Sequence, residues 1–419
     1  MRRLKSLILF GAVAAFPGAL AYAQVAQTPQ ALPPAAPPAA VPAPQPPVVV
    51  LPPPLWDPRD AQELLAFISQ IGGEGLDPAD YDPAGLIAAL RSGNPQVLAQ
   101  VASDRFNRVA SDLALGHVRG KEREDWHIPD PDLDNGRLDQ LLRAAVAERR
   151  VSHTLRSLLP THPQYRDLKN ALSITPRSEV AKSNRIRLNM DRWRWLPRDL
   201  GAKYVIVNVP AYYVALVENG TTRWRQRAIA GAIKTPTPML TATASGVILN
   251  PWWEVPKSIE PEVRGKKGYV PVKGKDGKVQ RWRQPPGPSN ALGHLKFVMP
   301  NPKAIFLHDT NARSRFNNDV RSLSHGCIRT QNVLDLATEL LTDDAGEWTR
   351  EKIDEALASK KTVQANFVKP LPVYIVYFSS AAATDGRIVN YTDVYKRDAK
   401  VIAALLDQQP KPASAVASR

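Results

Sequence analysis

Apolar residues recur at helical spacing over one part of this chain and at strand-like spacing over the next. The stretches AQELLAFISQI, PAGLIAALRSG, PQVLAQVASDRFNRVASDLALG and GRLDQLLRAAVAERRVSHTLRSLL place Leu, Ile, Val and Ala so that they share one face of a helix. Between them, GLDPADYD and IPDPDLDNG carry the Asp and Pro residues of turns and helix caps. Near residue 203 the period changes. KYVIVNVPAYYVALVENG reads as two strands joined near Pro210 and ending in an Asn-Gly turn. WRQRAIAGA, SGVILNPWWEV, HLKFVMPN, KAIFLHD and PVYIVYFSS follow as short strands rich in Val, Ile and aromatics. NVLDLATELLT and REKIDEALA are the helical pieces of this half, and no segment repeats. The pattern predicts an α+β chain with a helical domain over 56–182 and a mainly β domain over 183–400, on which one or two helices pack. A C-terminal helix and tail occupy 401–419.

The chain ahead of residue 56 has no such pattern. Arg2, Arg3 and Lys5 precede an apolar run from Leu7 to Leu20, and Ala21-Tyr22-Ala23 is a small-x-small site. These features predict a secretory signal over 1–23, cleaved after Ala23. A retained anchor is the alternative, but the run falls short of the roughly 20 apolar residues a spanning helix needs, and Pro17 interrupts it. Residues 24–55 are dominated by Pro and Ala, as in PQALPPAAPPAAVPAPQPP, and predict an extended, semi-rigid linker.

Charge narrows the class of partner a little. Removing 1–23 takes three positive charges and no negative ones from the formal +15, leaving +12. An exported protein this basic suits an anionic polymer or membrane surface. Nucleic acid is the usual alternative for a basic chain; export and the lack of zinc-finger or RNA-binding motifs argue against it.

The single cysteine excludes an internal disulfide. Cys327 lies in Ser324-His325-Gly326-Cys327-Ile328-Arg329, ahead of the predicted helix NVLDLATELL. A helix N-terminus and a nearby imidazole both favour the thiolate, which is the nucleophilic form. Gly326 permits an unusual backbone angle and leaves room for a substrate and for N–H groups aimed at an oxyanion. A lone cysteine is more commonly a buried structural residue, a fate that the adjoining His and Gly argue against. His308, 19 residues upstream in Phe306-Leu307-His308-Asp309-Thr310, ends a predicted strand, and a loop returning to the helix start could bring it to the thiol. A lone histidine is more often structural than catalytic; His117, His127, His153, His162 and His294 have no comparable context.

His308 followed by SHGCIR resembles the signature of the L,D-transpeptidases with a YkuD-type catalytic domain: a His, a gap, then Ser/Thr-His-Gly-Cys-x-Asn/Arg. RIRLNMDRWRWLP, NPWWEVPKSI, RQPPGPSNALGHLKFVM, FLHDT and LPVYIVYFSS…DVYKRD are similar to the larger YcbB-type branch of Gram-negative bacteria. LALGHVRG and LLPTHPQYRDLKNAL are similar to its scaffold domain. The likeness spans about 60–400. Two features depart from that branch: 172–185 leave no room for its separate peptidoglycan-binding domain, and 260–282 form a short, basic segment where it has a long lid.

The resemblance implies a sandwich-like β domain with Cys327 as nucleophile and His308 as general base. It puts His325 and Gly326 on the loop that shapes the oxyanion region. Arg329 stands at the Asn/Arg position, either as a ligand for a substrate carboxylate or in a structural ion pair. Ser324, Trp253 and Phe306 are candidate pocket residues, although aromatic strand residues are more often core. The implied reaction is periplasmic. The thiolate attacks the carbonyl between diaminopimelate and the terminal D-Ala of a peptidoglycan tetrapeptide stem, and an amine of a second stem then relieves the thioester as a 3-3 cross-link. Water as acceptor would make a carboxypeptidase, and a protein amine would make an enzyme that anchors envelope proteins. A non-catalytic wall-binding protein is the alternative from another class. No metal or organic cofactor is implied, and carbapenems are expected to acylate the cysteine.

Overall fold

Asp-Pro and Asn-Pro pairs set the starts of the first helices. In the computed structural model α1 (Pro58–Gln70), α2 (Pro83–Arg91) and α3 (Pro95–Leu115) each begin on a proline. The side chains of Asp57, Asp82 and Asn94 accept hydrogen bonds from Arg59 N, Gly85 N and both Gln96 N and Val97 N. Proline sacrifices an N–H that has no helical partner there, and the cap satisfies the next ones. The structure describes residues 51–130, 134–343, 346–383, 385 and 387–407. The predicted signal, most of the linker and the end of the tail lie outside them. Among the described residues no helix is long and apolar enough to cross a membrane.

The long helical stretch predicted over 136–159 is two helices, α4 (Asn135–Ala147) and α5 (Val151–Ser157). The break falls at Arg149, whose φ of 54° cannot continue a helix. With α1–α3 they enclose one apolar core that includes Leu64, Leu86, Phe106, Leu113 and Leu155. Two more helices, α6 (Pro163–Ile174) and α7 (Val180–Arg194), lead to the strands. α7 runs unbroken across 182/183, and after the short strand at Trp126–His127 strand structure resumes only at Lys203.

After β1 (Trp126–His127) come β2 (Lys203–Asn208), β3 (Tyr213–Glu218), β4 (Thr221–Gly231) and β5 (Met239–Leu249). The β3–β4 turn, Asn219-Gly220, has positive φ at both residues (49° and 75°), the geometry that matches strand twist in a two-residue hairpin. Next are β6 (Trp253–Glu254), α8 (Glu260–Val263), β7 (Val270–Lys273), β8 (Val279–Gln284), β9 (Leu295–Val298) and β10 (Leu307–His308). β11 (Ser322–Ser324), β12 (Ile328–Thr330), α9 (Val333–Thr342), α10 (Arg350–Ala358) and β13 (Val363–Val376) follow. β14 (Ser380–Ala382), β15 (Ile388–Asn390) and α11 (Asp398–Leu406) end the described fold.

The main sheet runs β5-β13-β2-β3-β4-β12-β10-β9, and β9 pairs again with β5. The layers of the expected sandwich are therefore joined into a closed sheet. The second half of β5 makes this possible, because its Gly246–Leu249 stretch has β13 on one side and β9 on the other. Val205, Val207, Val214, Leu216, Val373 and Ile375 fill the interior with residues of α9. Their alternates Tyr204, Ile206, Ala215, Val217, Tyr374 and Val376 pack outward against Tyr165, Leu168, Met190 and Trp193 of α6 and α7. Both faces of these strands are covered, which is why they read as continuous apolar runs.

Polar groups on α7 tie it to the other helices and to the segments between them. The Asp191 carboxylate, fully buried, accepts from His117 N, Val118 N and Trp195 Nε1 and pairs with Arg194. Arg194 also donates to Glu74 O and Tyr165 Oη. Asp191→Ala would strand these donors and a buried guanidinium, so it should destabilise the protein by about 3–5 kcal/mol. Urea unfolding would measure this; a loss below about 1 kcal/mol would show that the network carries little of the stability.

Candidate active site

Register sets the site. β10 lies parallel to β12 with Leu307 opposite Ile328 and His308 opposite Arg329. Side chains alternate along a strand, and Leu307 and Ile328 point into the core. His308 and Arg329 therefore share the other face, and Phe306 and Cys327, one step earlier on each chain, share it too. The Ile328 N–H donates to Phe306 O, which continues the ladder to that earlier pair. The two sequence-predicted reactive residues thus come together as diagonal neighbours on adjacent strands.

The predicted helix start is not what supports Cys327. β12 intervenes, and α9 begins only at Val333, so Cys327 lies outside the first-turn range of its dipole. Cys327 is half-buried. Its Sγ lies 3.7 Å from Ala304 O, an acceptor that a thiol can meet and a thiolate cannot. Burial pushes the thiol up to about 11, against a lowering by a backbone hydrogen bond with Phe306 and by the cations of Lys296 and Arg329. The resting side chain is a thiol, not the thiolate that the helix argument predicts.

His308 is buried. Its Nδ1 is 2.5 Å from Asp309 O; a carbonyl only accepts, so Nδ1 carries the proton and Nε2 keeps its lone pair. Burial, followed by the Arg329 cation, holds the imidazole down to about 3. A neutral imidazole with a free Nε2 beside a neutral thiol is a base in waiting. Proton transfer between them makes an ion pair only when something in the site stabilises it.

The loop that carries the cysteine is held by its own polar groups. Ser324 Oγ donates to Cys327 O at 2.6 Å and accepts from Gly326 N at 3.1 Å, so the hydroxyl predicted to meet substrate staples the loop instead. Gly326 has φ 116°, and a Cβ there would meet Ile305 Cδ1 at 3.2 Å; both facts call for glycine. Thr237 Oγ1 donates to Gly326 O, and Thr235 Oγ1 donates to Ser324 O. Tyr395 Oη accepts from Thr237 N and donates to Gly231 O.

His325 faces away from this loop. It is exposed, and its Nε2 stands 3.0 Å from Glu262 Oε1 on α8. The segment around α8 has an apolar cluster of its own, Val255, Ile259 and Val263 with Trp253, Tyr269 and Trp282, and its own sheet, β6-β8-β7. The short lid is thus a built unit, and the Glu262–His325 hydrogen bond joins it to the cysteine loop. Trp253 packs inside that unit, 6.1 Å from the Tyr269 ring centre. Phe306 stands with its ring centre 5.7 Å from that of His308.

Several site residues escaped the sequence reading. Lys296 of β9 is the register partner of His308, and its ammonium lies 5.2 Å from the Phe306 ring centre. Apolar alternation in HLKFV assigns its face but not its neighbour. Thr235 and Thr237 sit in Thr-Pro-Thr-Pro, a turn signal, and Tyr395 in the DVYKRD segment quoted above; neither pattern reveals a distant loop as its partner. Asn301, whose side chain holds Met299 O and Ile305 O and accepts from Ile305 N, positions the Ala304 turn, and Asn-Pro was its available signal.

Comparison with known proteins adds to this geometry. A model of the YkuD L,D-transpeptidase catalytic domain matches residues 202–363, and a scaffold-domain model matches 52–172. The chain is 30% identical over 389 residues to a putative L,D-transpeptidase of Haemophilus influenzae, covering 83% of this chain and 76% of that one. An L,D-transpeptidase from Mycobacterium smegmatis aligns at 14% identity and a TM-score of 0.22, over 42% of this chain and 58% of the other. L,D-transpeptidase 3 from Mycobacterium tuberculosis, solved with a faropenem-derived adduct, aligns at 12% and 0.23, over 42% and 60%. The chain thus spans less than two thirds of these solved chains.

Proposed function

This chain belongs to the L,D-transpeptidase family of enzymes, and we propose that it is a periplasmic member that forms 3-3 cross-links between peptidoglycan tetrapeptide stems. The observation that carries this reading is the β10–β12 register, which turns Phe306, His308, Cys327 and Arg329 to one face. His308 Nε2 takes the Cys327 proton as sulfur attacks the diaminopimelate carbonyl. The bond to D-Ala breaks, and its nitrogen leaves with that proton. A diaminopimelate side-chain amine of a second stem then attacks the thioester, gives its proton to His308, and the sulfur departs as thiol. Carbapenems, whose strained amide is open to the same attack, should acylate Cys327.

Incubating the purified protein with disaccharide-tetrapeptide and weighing the products tests this. Dimers lacking one D-Ala are expected. Tripeptides alone would mean that water is the acceptor, a carboxypeptidase, and the cross-linking reading would fall. Accumulation of stems on added protein amines would point to an anchoring enzyme.

A further inference from the structure

Three adjacent strands set their side chains in one row at His308. Lys296 on β9 and Arg329 on β12 are its register partners on either side, with about 4.8 Å between neighbouring strands. The residues flanking them, Leu295, Phe297, Leu307 and Ile328, fill the interior, so the row faces the side that bears Cys327. Both cations act on Cys327 and on His308. The Lys296 ammonium also sits over Phe306, whose ring borders that of His308.

Neither cation is neutralised. Among the described residues neither Lys296 nor Arg329 meets a carboxylate, and the buried Arg329 Nε has no hydrogen-bond partner. The neighbouring Asp309 carboxylate is already taken by His294 N and Arg313, and Arg315 adds further positive charge near Arg329. Half-buried cations without an anion are costly in a finished structure. A ligand carboxylate would remove that cost.

We propose that Lys296 and Arg329 form a clamp for the free carboxylate beside the reacting amine, and that this clamp selects an amino-acid amine over water as acceptor. The inference rests on the transpeptidase reading above. In acylation the carbon–sulfur bond forms, the bond to D-Ala breaks, and the leaving nitrogen sits on a carbon that bears a free carboxylate. In deacylation the new carbon–nitrogen bond forms and the carbon–sulfur bond breaks. The attacking diaminopimelate nitrogen again sits on a carbon that bears a free carboxylate. One clamp therefore serves both half-reactions. Water offers it nothing, and neither does the side-chain amine of a protein lysine.

The test gives the full-length enzyme disaccharide-tetrapeptide together with isotope-labelled D-alanine or labelled D-alaninamide, and reads label incorporation against tripeptide by mass. D-Alanine should capture the acyl group in preference to water. D-Alaninamide, identical but for the missing charge, should be poorer by on the order of tenfold to a hundredfold, the worth of one charge-assisted hydrogen bond. This comparison needs no variant. In Lys296→Met the preference for D-alanine over its amide should collapse towards parity, and Lys296→Arg should restore most of it, with circular dichroism verifying the fold. Equal use of the two acceptors by the wild-type enzyme, or an undiminished preference in Lys296→Met, overturns the clamp while leaving the transpeptidase reading intact. If the wild type gives no Cys327-dependent product, that reading fails and the clamp with it.

Discussion

Replacing Cys327 with alanine is expected to lower turnover of tetrapeptide by on the order of 10⁴-fold to 10⁶-fold, the usual consequence of deleting a covalent nucleophile. Nothing else on that face can substitute. His308, Arg329, Phe306 and Lys296 share that face with the sulfur, and none of them makes a ready acyl acceptor. Of the two hydroxyls nearest in sequence, Ser324 Oγ is buried and occupied by Cys327 O and Gly326 N, and Thr330 is fully buried on the same side of β12 as Ile328. Cys327→Ser should be nearly as inactive, because a hydroxyl beside an imidazole held down to about 3 gives up its proton even less readily than the thiol. Intact-mass spectrometry should find the acyl adduct on the wild-type protein and none on Cys327→Ala, whose melting temperature should be close to wild type. A Cys327→Ala protein retaining more than about one hundredth of the rate would mean that another residue attacks the substrate.

The parts of this molecule legible in its sequence are those set by near neighbours. Asp57, Asp82 and Asn94 declare helix starts because a cap and a following proline act within three residues. The Asn219-Gly220 turn is equally local. The β2, β3 and β13 runs are readable as strands, but their apolar continuity cannot say that helices cover the outer face, and α7 hides where one half gives way to the other. Its sequence RIRLNMDRWR sets a thin stripe of Ile186, Met190 and Trp193 among buried Asp191, Arg192 and Arg194, charges that are held by Asp191–Arg194 pairing and by distant groups such as Glu74, Tyr165 and Asp398.

The site divides in the same way. Cys327 and His308 stand out through a short motif with a definite chemistry. Ser324 and Trp253 looked like pocket residues only because they lie near that motif or near a family-like segment, and their bonds are to the loop and to the lid. The helix expected behind Cys327 was displaced by Ile328–Thr330, a strand too short to announce itself by periodicity. Lys296 and Glu262 were invisible because strand register and lid docking join segments 12 and 63 residues apart, and no local pattern encodes them.

His308→Gln should lower kcat/KM by about 10²-fold to 10⁴-fold, the span expected for losing a positioned general base, and should change the shape of the pH profile as well. Burial and Arg329 place the imidazole at about 3 in the resting enzyme, and burial places the thiol at about 11. In the wild type both groups keep one protonation state between those limits. Because kcat/KM reports groups of the free enzyme, it should be nearly flat from about pH 5 to pH 9 and fall only in stronger acid. Without the imidazole the thiolate must form by loss of a proton to solvent, so the rate of the variant should climb roughly tenfold per pH unit towards the thiol pKa. Alkylation by iodoacetamide follows the same slope and reports the sulfur without substrate. Glutamine can donate to the Asp309 carbonyl in place of Nδ1, which keeps the side chain oriented while removing its basicity. A wild-type profile with an acid limb centred near 6.5, the ordinary histidine range, would mean that water reaches His308 and that the buried, neutral base described above is not the species that accepts the cysteine's proton.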